Sequence, residues 1–456
     1  MKNRNNISAW SFNDLCAIKY LEQVTDILAQ YSWIYETRNT DIILHNVLEK
    51  IPLKWYEELN SLSTTELHQV LFNFIKEKWP SSLKLFIEQC QYLGQFRFPP
   101  HNFKELTETT NEPKYVASKV STKKQYEINV MSGFVNEICQ DSNCSVVLDI
   151  GSGLGYLDQI LHHQYKLKCI GLDSSSQYTL TARERLKKDP CSNSMKHQTL
   201  EINSTKECIE DLKNVLEESN FDCNCNVKEK LNQENDSKIM VGLHSCGNLT
   251  QDMMKLFCKM EEITAFICVG CCYNKINLND FPMSKSVQSV VSSTSTRFPG
   301  WSPCVSGLRL AAHGTRTHTQ DTDKQTHLEK NLFYRALFEK YIQNEKISWR
   351  QPKRRIRPSD LPDFETYCKN MLKNHPLEHD SKTLKNLNKL YDDCEHLFPR
   401  IRILLVLQTL LQPLWEGFVI VDRMLYFREN DISTQVLALW DDSVSSRNMA
   451  LCAYKR

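Results

Sequence analysis

Asp149 is followed by Gly151, Gly153 and Gly155 at alternate positions in the run VVLDIGSGLGYL, residues 146–157. Glycines so spaced let backbone approach a ligand closely, and the aliphatic residues before them read as a short buried strand. A second apolar strand, KCIGLD, closes on Asp173, eighteen residues past Gly155. A carboxylate there is placed to accept hydrogen bonds from the two hydroxyls of a ribose. Asp149, Gly151, Ser152, Gly153, Gly155, Asp173 and the adjacent Ser174 are therefore the candidate contacts of a nucleoside cofactor. A dinucleotide fingerprint is G-x-G-x-x-G, because a helix N-terminus must meet a pyrophosphate. The pattern here is D-x-G-x-G-x-G. S-adenosylmethionine (SAM) has no phosphate and carries an ammonium and a sulfonium, so an acid beside the loop suits it. The alternative is a strand–turn–helix that holds no ligand.

In an open parallel sheet the site lies at the carboxyl ends of the strands. The expected fourth and fifth strands, in IMVGLHSCGNL (239–249) and AFICVGCCYNKI (265–276), end on His244 and Cys246 and on Cys271, Cys272 and Tyr273. These five are the candidates for the acceptor end of the site. His244 could be a general base, an orienting group or a satisfied strand-end histidine. The three cysteines could be nucleophiles or metal ligands with His244. Cysteine beside apolar strand ends is more often packing, and no metal site is assigned. Tyr273 could stack a planar substrate or be a plain rim aromatic. No [DNS]-P-P-[YFW] run follows the fourth strand, which counts against simple adenine N6 chemistry.

Upstream, STKKQYE places Lys123, Lys124 and Glu127 at the start of a helix that leads into the first strand. A lysine there, Lys123 foremost, could meet the SAM carboxylate or an acidic substrate. The basic, proline-bounded run WRQPKRRIRP carries Trp349, Arg350, Lys353, Arg354, Arg355 and Arg357. It could bind RNA through phosphates and a stacked base, although short basic runs are usually solvated surface.

The elements that would position these residues alternate strand and helix, which argues for a parallel sheet with helices on both faces. Residues 1–112 read as a helical cap or recognition domain, with apolar residues at spacings of three and four. Residues 113–456 read as the sheet domain, with insertions at about 184–238 and 290–400. A third strand is expected near HQTLEI, 197–202. The last two are expected at FVIVDRMLYF, 418–427, and VLALWDD, 436–442, with NMALCAYK closing the domain.

The chain has 456 residues, long for one domain, and a net charge of +1, so no global field favours nucleic acid or membrane. Its 18 cysteines are scattered and read as mostly reduced thiols of an intracellular protein, in cytoplasm or nucleus. Cys223 and Cys225 form a C-x-C without a second pair at zinc spacing. Residues 401–421 have the length of a membrane span, but Gln408, Gln412, Pro413 and Glu416 lie within them. A buried helix running into a strand explains them better, and no membrane contact is expected.

The runs VVLDIGSGLGYL, GLHSCGNL, VGCCYNKI, VDRMLYF and SSRNMALCAYK together resemble the methyltransferase-like protein 25 family. The resemblance is greater to its 25B branch, also named for a ribosomal RNA adenine dimethylase domain. STKKQYE is similar to that family's SPKKQHE, which adds weight to Lys123, Lys124 and Glu127. Asn248 stands where the family often has Asp, and Ser446 where proline is usual. The resemblance implies an α/β fold, a Rossmann-like SAM-dependent methyltransferase sheet with helices on both faces, beside the N-terminal helical domain. It implies little about the acceptor, for which RNA is the first expectation, a protein the second and a small molecule the third. A different class, a SAM-binding pseudoenzyme acting through interactions, stays open.

Overall fold

In the computed structural model of the chain the described residues are 14–97, 120–189, 191–217, 237–314, 322–349 and 361–455. Contacts divide the chain into two compact units, each assembled from segments far apart in sequence. One comprises Met1–Gln23, Phe98–Ser293 and Gly417–Arg456; the other comprises Val24–Arg97 and Thr294–Glu416.

The first unit holds a seven-stranded sheet of order β3-β2-β1-β4-β5-β7-β6. Its strands are β1 Cys144–Ile150, β2 Lys168–Asp173, β3 Met195–Thr199, β4 Ser237–Ser245, β5 Ile263–Gly270, β6 Ser433–Ala438 and β7 Met449–Tyr454. β1 to β5 pair in parallel, and β7 runs antiparallel to both β5 and β6. This is the Rossmann-like sheet expected from the sequence. All seven residues of β1 are buried, as befits a central strand covered on both faces. From β1 the chain winds outward to β3 and then returns to β4 on the other side. The crevice between β1 and β4 is thus a topological switch point, where α/β sheets bind ligands.

The helix Thr122–Ser142 feeds β1. Ser121 caps its start by accepting a hydrogen bond from the Lys124 N–H, and Asn143 ends it in the left-handed conformation at φ 51°. Ile128, Met131, Val135 and Ile138, one face at helical spacing, join Val147, Ile239, Val241 and Ile267 in one core cluster. Burying that face against three strands fixes the helix start above the sheet ends.

Strands one to five fall where the sequence places them, with β3 two residues early at Met195–Thr199. The expected strand at 418–427 is a correction. Those residues form the last turns of one helix, Phe398–Arg428, with Pro413 inside it. A continuous apolar run cannot be assigned by periodicity alone, and neither Pro413 nor Gly417 ends the helix. The stretch 401–421 lies wholly within it. This helix is long and apolar enough to cross a membrane, but 89% of its most apolar window is buried within the fold. Gln412 and Glu416 are both fully buried, and the Gln412 Nε2 donates to the Glu416 carboxylate at 2.9 Å.

In the second unit the Tyr35 hydroxyl is the hub of a buried polar contact. It donates to the Leu28 carbonyl at 2.7 Å and accepts from the Trp301 indole N–H at 2.9 Å. Trp349 belongs here as well: it is half-buried, edge-on to Phe338 at 5.1 Å, and its N–H faces the Met371 carbonyl at 3.4 Å. Arg350, Lys353, Arg354, Arg355 and Arg357 lie outside the described residues, as do Cys223 and Cys225.

Candidate functional site

The glycine loop turns out of β1 with Gly151, Gly153 and Gly155 all at positive φ, 76°, 58° and 69°. Two hydrogen bonds hold its first turn, from the N–H groups of Gly151 and Ser152 to the Leu172 carbonyl at 2.7 and 3.1 Å. Asp173, half-buried at the tip of β2, accepts from the Gly153 N–H at 3.0 Å and the Ser175 N–H at 2.8 Å. Each carboxylate oxygen thus takes one backbone donor and keeps lone-pair capacity for a hydroxyl. Nothing lies within 4 Å of where a Cβ on Gly153 would stand, so that side of the loop is open. Ser174 is exposed and Ser152 half-buried beside it.

Under the loop lies a group of titratable side chains. Asp149 is 3% exposed, and Asp158, in the first turn of the helix Tyr156–Tyr165, is fully buried. Burial pushes the Asp158 carboxyl well above the usual carboxylate range, and the charge of Asp149 adds to it. Burial raises Asp149 too, against the favourable charge of Lys124. His197 on β3 lies with its Nδ1 3.6 Å from the Asp158 carboxylate. Burial first, and then the charges of Arg183 and Arg185, lower His197 to about 4, which keeps it neutral near pH 7. A Cβ on Gly155 or on Gly171 would overlap the His197 ring. The third glycine of the loop therefore answers to its strained φ and to the imidazole beneath it.

Of the two lysines at the start of the helix Thr122–Ser142, Lys124 reaches the loop, its Nζ 5.2 Å from the centre of the Tyr156 ring. Lys123 is exposed, with its Nζ 3.9 Å from a Glu127 carboxylate oxygen. Glu127, 3% exposed, turns its other oxygen to His244 Nε2 at 2.9 Å. Burial raises this carboxyl, but the hydrogen bond from His244 and the charges of His244 and Lys123 outweigh it and hold Glu127 below its usual value.

His244 occupies an irregular point of the sheet. Leu243 pairs with Val269 and Ser245 with Gly270, so His244 is the extra residue of a bulge at the end of β4. Its φ is 64°, unusual for a residue with a Cβ. The bulge sends the imidazole toward Glu127 and the carbonyl toward the thiols of Cys246 and Cys271, at 3.3 and 3.4 Å. The Sγ of Cys246 is 3.1 Å from that of Cys271 and 3.3 Å from that of Cys272. A hydrogen bond from Cys271 is the main reason that the Cys246 thiol is held below its usual value, with Cys272 and the charge of Lys275 adding to it. Cys271 is raised, by its bond to Cys246 and by burial.

The structure thus gathers the loop, Asp173, Lys124, Glu127, His244 and the three cysteines around the carboxyl ends of the strands. Tyr273 is nearby but enclosed: it is 2% exposed and its ring lies under the Arg423 guanidinium at 5.3 Å. Asp158, His197 and Arg423 have no counterpart among the residues the sequence singled out. An acid in a first helical turn reads as a partner of the helix dipole. His197 sits alone on a short strand, and Arg423 lies inside an apolar run.

Residues 123–279 match a family model described as a methyltransferase domain. The chain is similar to probable methyltransferase-like protein 25 of Mus musculus, at 22% identity over 74% of this chain and 75% of that protein. It is also similar to probable methyltransferase-like protein 25 of Homo sapiens, at 26% identity over 48% of this chain and 37% of that one. Among solved structures it matches TrmK of M. capricolum in complex with S-adenosyl-homocysteine, at 15% identity, 37% of this chain, 57% of that chain and a TM-score of 0.23. It also matches coclaurine N-methyltransferase bound to N-methylheliamine and S-adenosyl-homocysteine, at 12% identity, 91% and 98% coverage and a TM-score of 0.24. Residues 123–279 form a methyltransferase domain, and the glycine loop within it suits SAM as the cofactor. The open side of Gly153 and the remaining lone pairs of Asp173 fit that cofactor.

Proposed function

We propose that this SAM-dependent methyltransferase acts on a nucleophile whose proton is taken by His244, and that RNA is the first class of acceptor to test. The Glu127–His244 pair carries the reading. A buried carboxylate that accepts from Nε2–H orients the imidazole and leaves Nδ1 as the atom that can take a proton. The pair stands at the end of β4, across the switch-point crevice from the glycine loop, so one helix start bears on both ends of the site.

Bound at the loop, SAM supplies an electrophilic methyl group. Asp173 would hold the ribose hydroxyls, and Lys124 offers a cation for a carboxylate. Asp149 lies beneath the loop, and an ammonium bound there would favour its ionised form. His244 would receive the acceptor's proton, and Glu127 would stabilise the imidazolium that forms. The remainder of the rate comes from alignment and exclusion of water.

RNA is favoured over protein by the basic run from Arg350 to Arg357, a sequence feature suited to phosphates. Free thiols throughout the described residues suit a reducing, intracellular compartment. The test is transfer of a labelled methyl group from SAM into fractionated cell extract by the purified chain. Label in the RNA fraction, lost in His244→Ala, is expected. Label in protein would move the acceptor class, and SAM binding without any labelled product would leave a pseudoenzyme.

A further inference from the structure

Among the described cysteines of the sheet-bearing unit two sets stand apart, beside Cys16, Cys191, Cys208 and Cys258. Cys139, Cys144, Cys169, Cys268 and Cys452 are buried in the core and pack as small apolar side chains. Cys246, Cys271 and Cys272 are half-exposed, and their three sulfurs face one another at 3.1, 3.3 and 3.5 Å. No packing need draws three thiols together at the wet end of a sheet. A shared ligand does. We propose that Cys246, Cys271 and Cys272 bind one thiophilic divalent cation of the zinc class, with a fourth position open toward the acceptor end of the site.

The geometry suits such an ion. Zinc–sulfur bonds of about 2.3 Å place tetrahedral sulfurs roughly 3.8 Å apart. The three sulfurs would move outward by a few tenths of an ångström, within the reach of χ1 adjustments. All three come from the ends of two adjacent strands, β4 and β5, which hold them in fixed relation. The backbone that presents them is held in uncommon conformations, His244 at φ 64° and Gly247 at φ 57°. A side chain on Gly247 would collide with Lys275, at 2.7 Å from its Cβ. Such positions persist where the surroundings over-determine them, and they cluster at ligand clamps.

The donor set selects the ion. Three sulfurs without a carboxylate suit zinc and other soft ions and do not suit magnesium or calcium. Binding would convert three thiols to thiolates and release their protons to solvent. One divalent ion and three thiolates would together carry one negative charge. His244 is not the fourth ligand in this arrangement: its carbonyl, not its ring, faces the thiols, while the ring is turned to Glu127. Three protein ligands with an open fourth place are the pattern of reactive rather than structural zinc sites. The open place would take an electron-rich atom. The other group with metal-ligand spacing, His163, Asp189 and Cys191, is explained without an ion: His163 pairs with Asp189 at 2.7 Å, and Asp189 also accepts from the Cys191 N–H at 2.9 Å.

The test uses the full chain, reduced, stripped with a chelator and titrated with cobalt(II). One equivalent should bind with thiolate-to-cobalt charge-transfer absorption and the d–d bands of a tetrahedral ion, and zinc should displace it. Cys246→Ser and Cys271→Ser should each weaken cobalt binding at least ~10-fold, whereas Cys258→Ser should leave it unchanged. Circular dichroism separates lost ligation from lost fold. If a variant misfolds, the unaltered protein still decides: zinc should protect Cys246, Cys271 and Cys272 from alkylation, read by mass spectrometry. Equal labelling with and without zinc, cobalt uptake without the thiolate bands, or a Cys246–Cys271 disulfide in protein that takes no metal would each overturn the proposal. None of these readouts depends on methyl transfer.

Discussion

At the ends of β1 and β2 the backbone makes the site. Three glycines at positive φ, two N–H groups bonded to the Leu172 carbonyl and two more bonded to Asp173 shape the loop. At the ends of β4 and β5 side chains make it, held out by a bulge: an imidazole on a buried carboxylate and three thiols in mutual contact. The first arrangement suits a ligand that is always the same molecule. The second suits chemistry that differs from one methyltransferase to the next, since fold fixes the cofactor frame more tightly than the acceptor.

The largest effect on SAM affinity should come from the loop. Gly155→Ala adds a Cβ at φ 69° over the His197 ring. Backbone strain of about 1–3 kcal/mol there, with the overlap added, should weaken SAM by ~100-fold or more in calorimetry. Combining it with His197→Ala should recover part of the loss; no recovery would mean that φ alone matters.

On the acceptor side, His244→Ala should leave SAM affinity within about twofold while methyl transfer falls by ~10²–10⁴, the range for loss of a general base. Glu127→Gln should fall between the two proteins, because it disturbs the tautomer and keeps the ring. An unchanged rate in both variants would reduce the pair to a structural tie. Asp173→Ala is expected to cost SAM about 1.5–3 kcal/mol, the worth of hydrogen bonds to a charged group. The same variant should lose little for an analogue without ribose hydroxyls, and equal loss for both ligands would contradict the assignment.

The smallest effect distinguishes the two ends by sign. Asp149 and Asp158 are raised by burial, so the folded protein holds protons that the unfolded chain gives up. Their contribution is fully present below the ordinary carboxylate pKa of about 4 and is lost as pH rises through the raised values. Glu127 is depressed, so its contribution is present above about 4.3 and is lost as pH falls through its lowered value. In thermal melts, Asp149→Asn should flatten the melting temperature between roughly pH 4 and 7. Glu127→Gln should change its slope only on the acid side.

The loop, Asp173 and five parallel strands were legible because each leaves a short local signal: alternate glycines, an acid at a strand tip, an aliphatic run. His244 and the cysteines were legible as residue types but not as a constellation, since contacts across β4 and β5 join residues some 25 positions apart. Asp158 and His197 were invisible because their meeting depends on two glycines, 155 and 171, making room for one ring. The run 418–427 misled for a different reason. Apart from Asp422 and Arg423 it is apolar throughout because the helix that contains it is buried, and burial on all sides erases the period that tells a helix from a strand.

The place of β7 bears on how the protein is made. It is the partner of β5, with Cys268 opposite Leu451, and it separates β5 from β6. A ribosome adding about 5–20 residues per second needs on the order of ten to forty seconds to pass from one partner to the other. For that interval the nascent β5, ITAFICVG, has no strand on its outer side, an edge of the kind that draws wrong partners. The sheet therefore closes late, only once β7 has been synthesised.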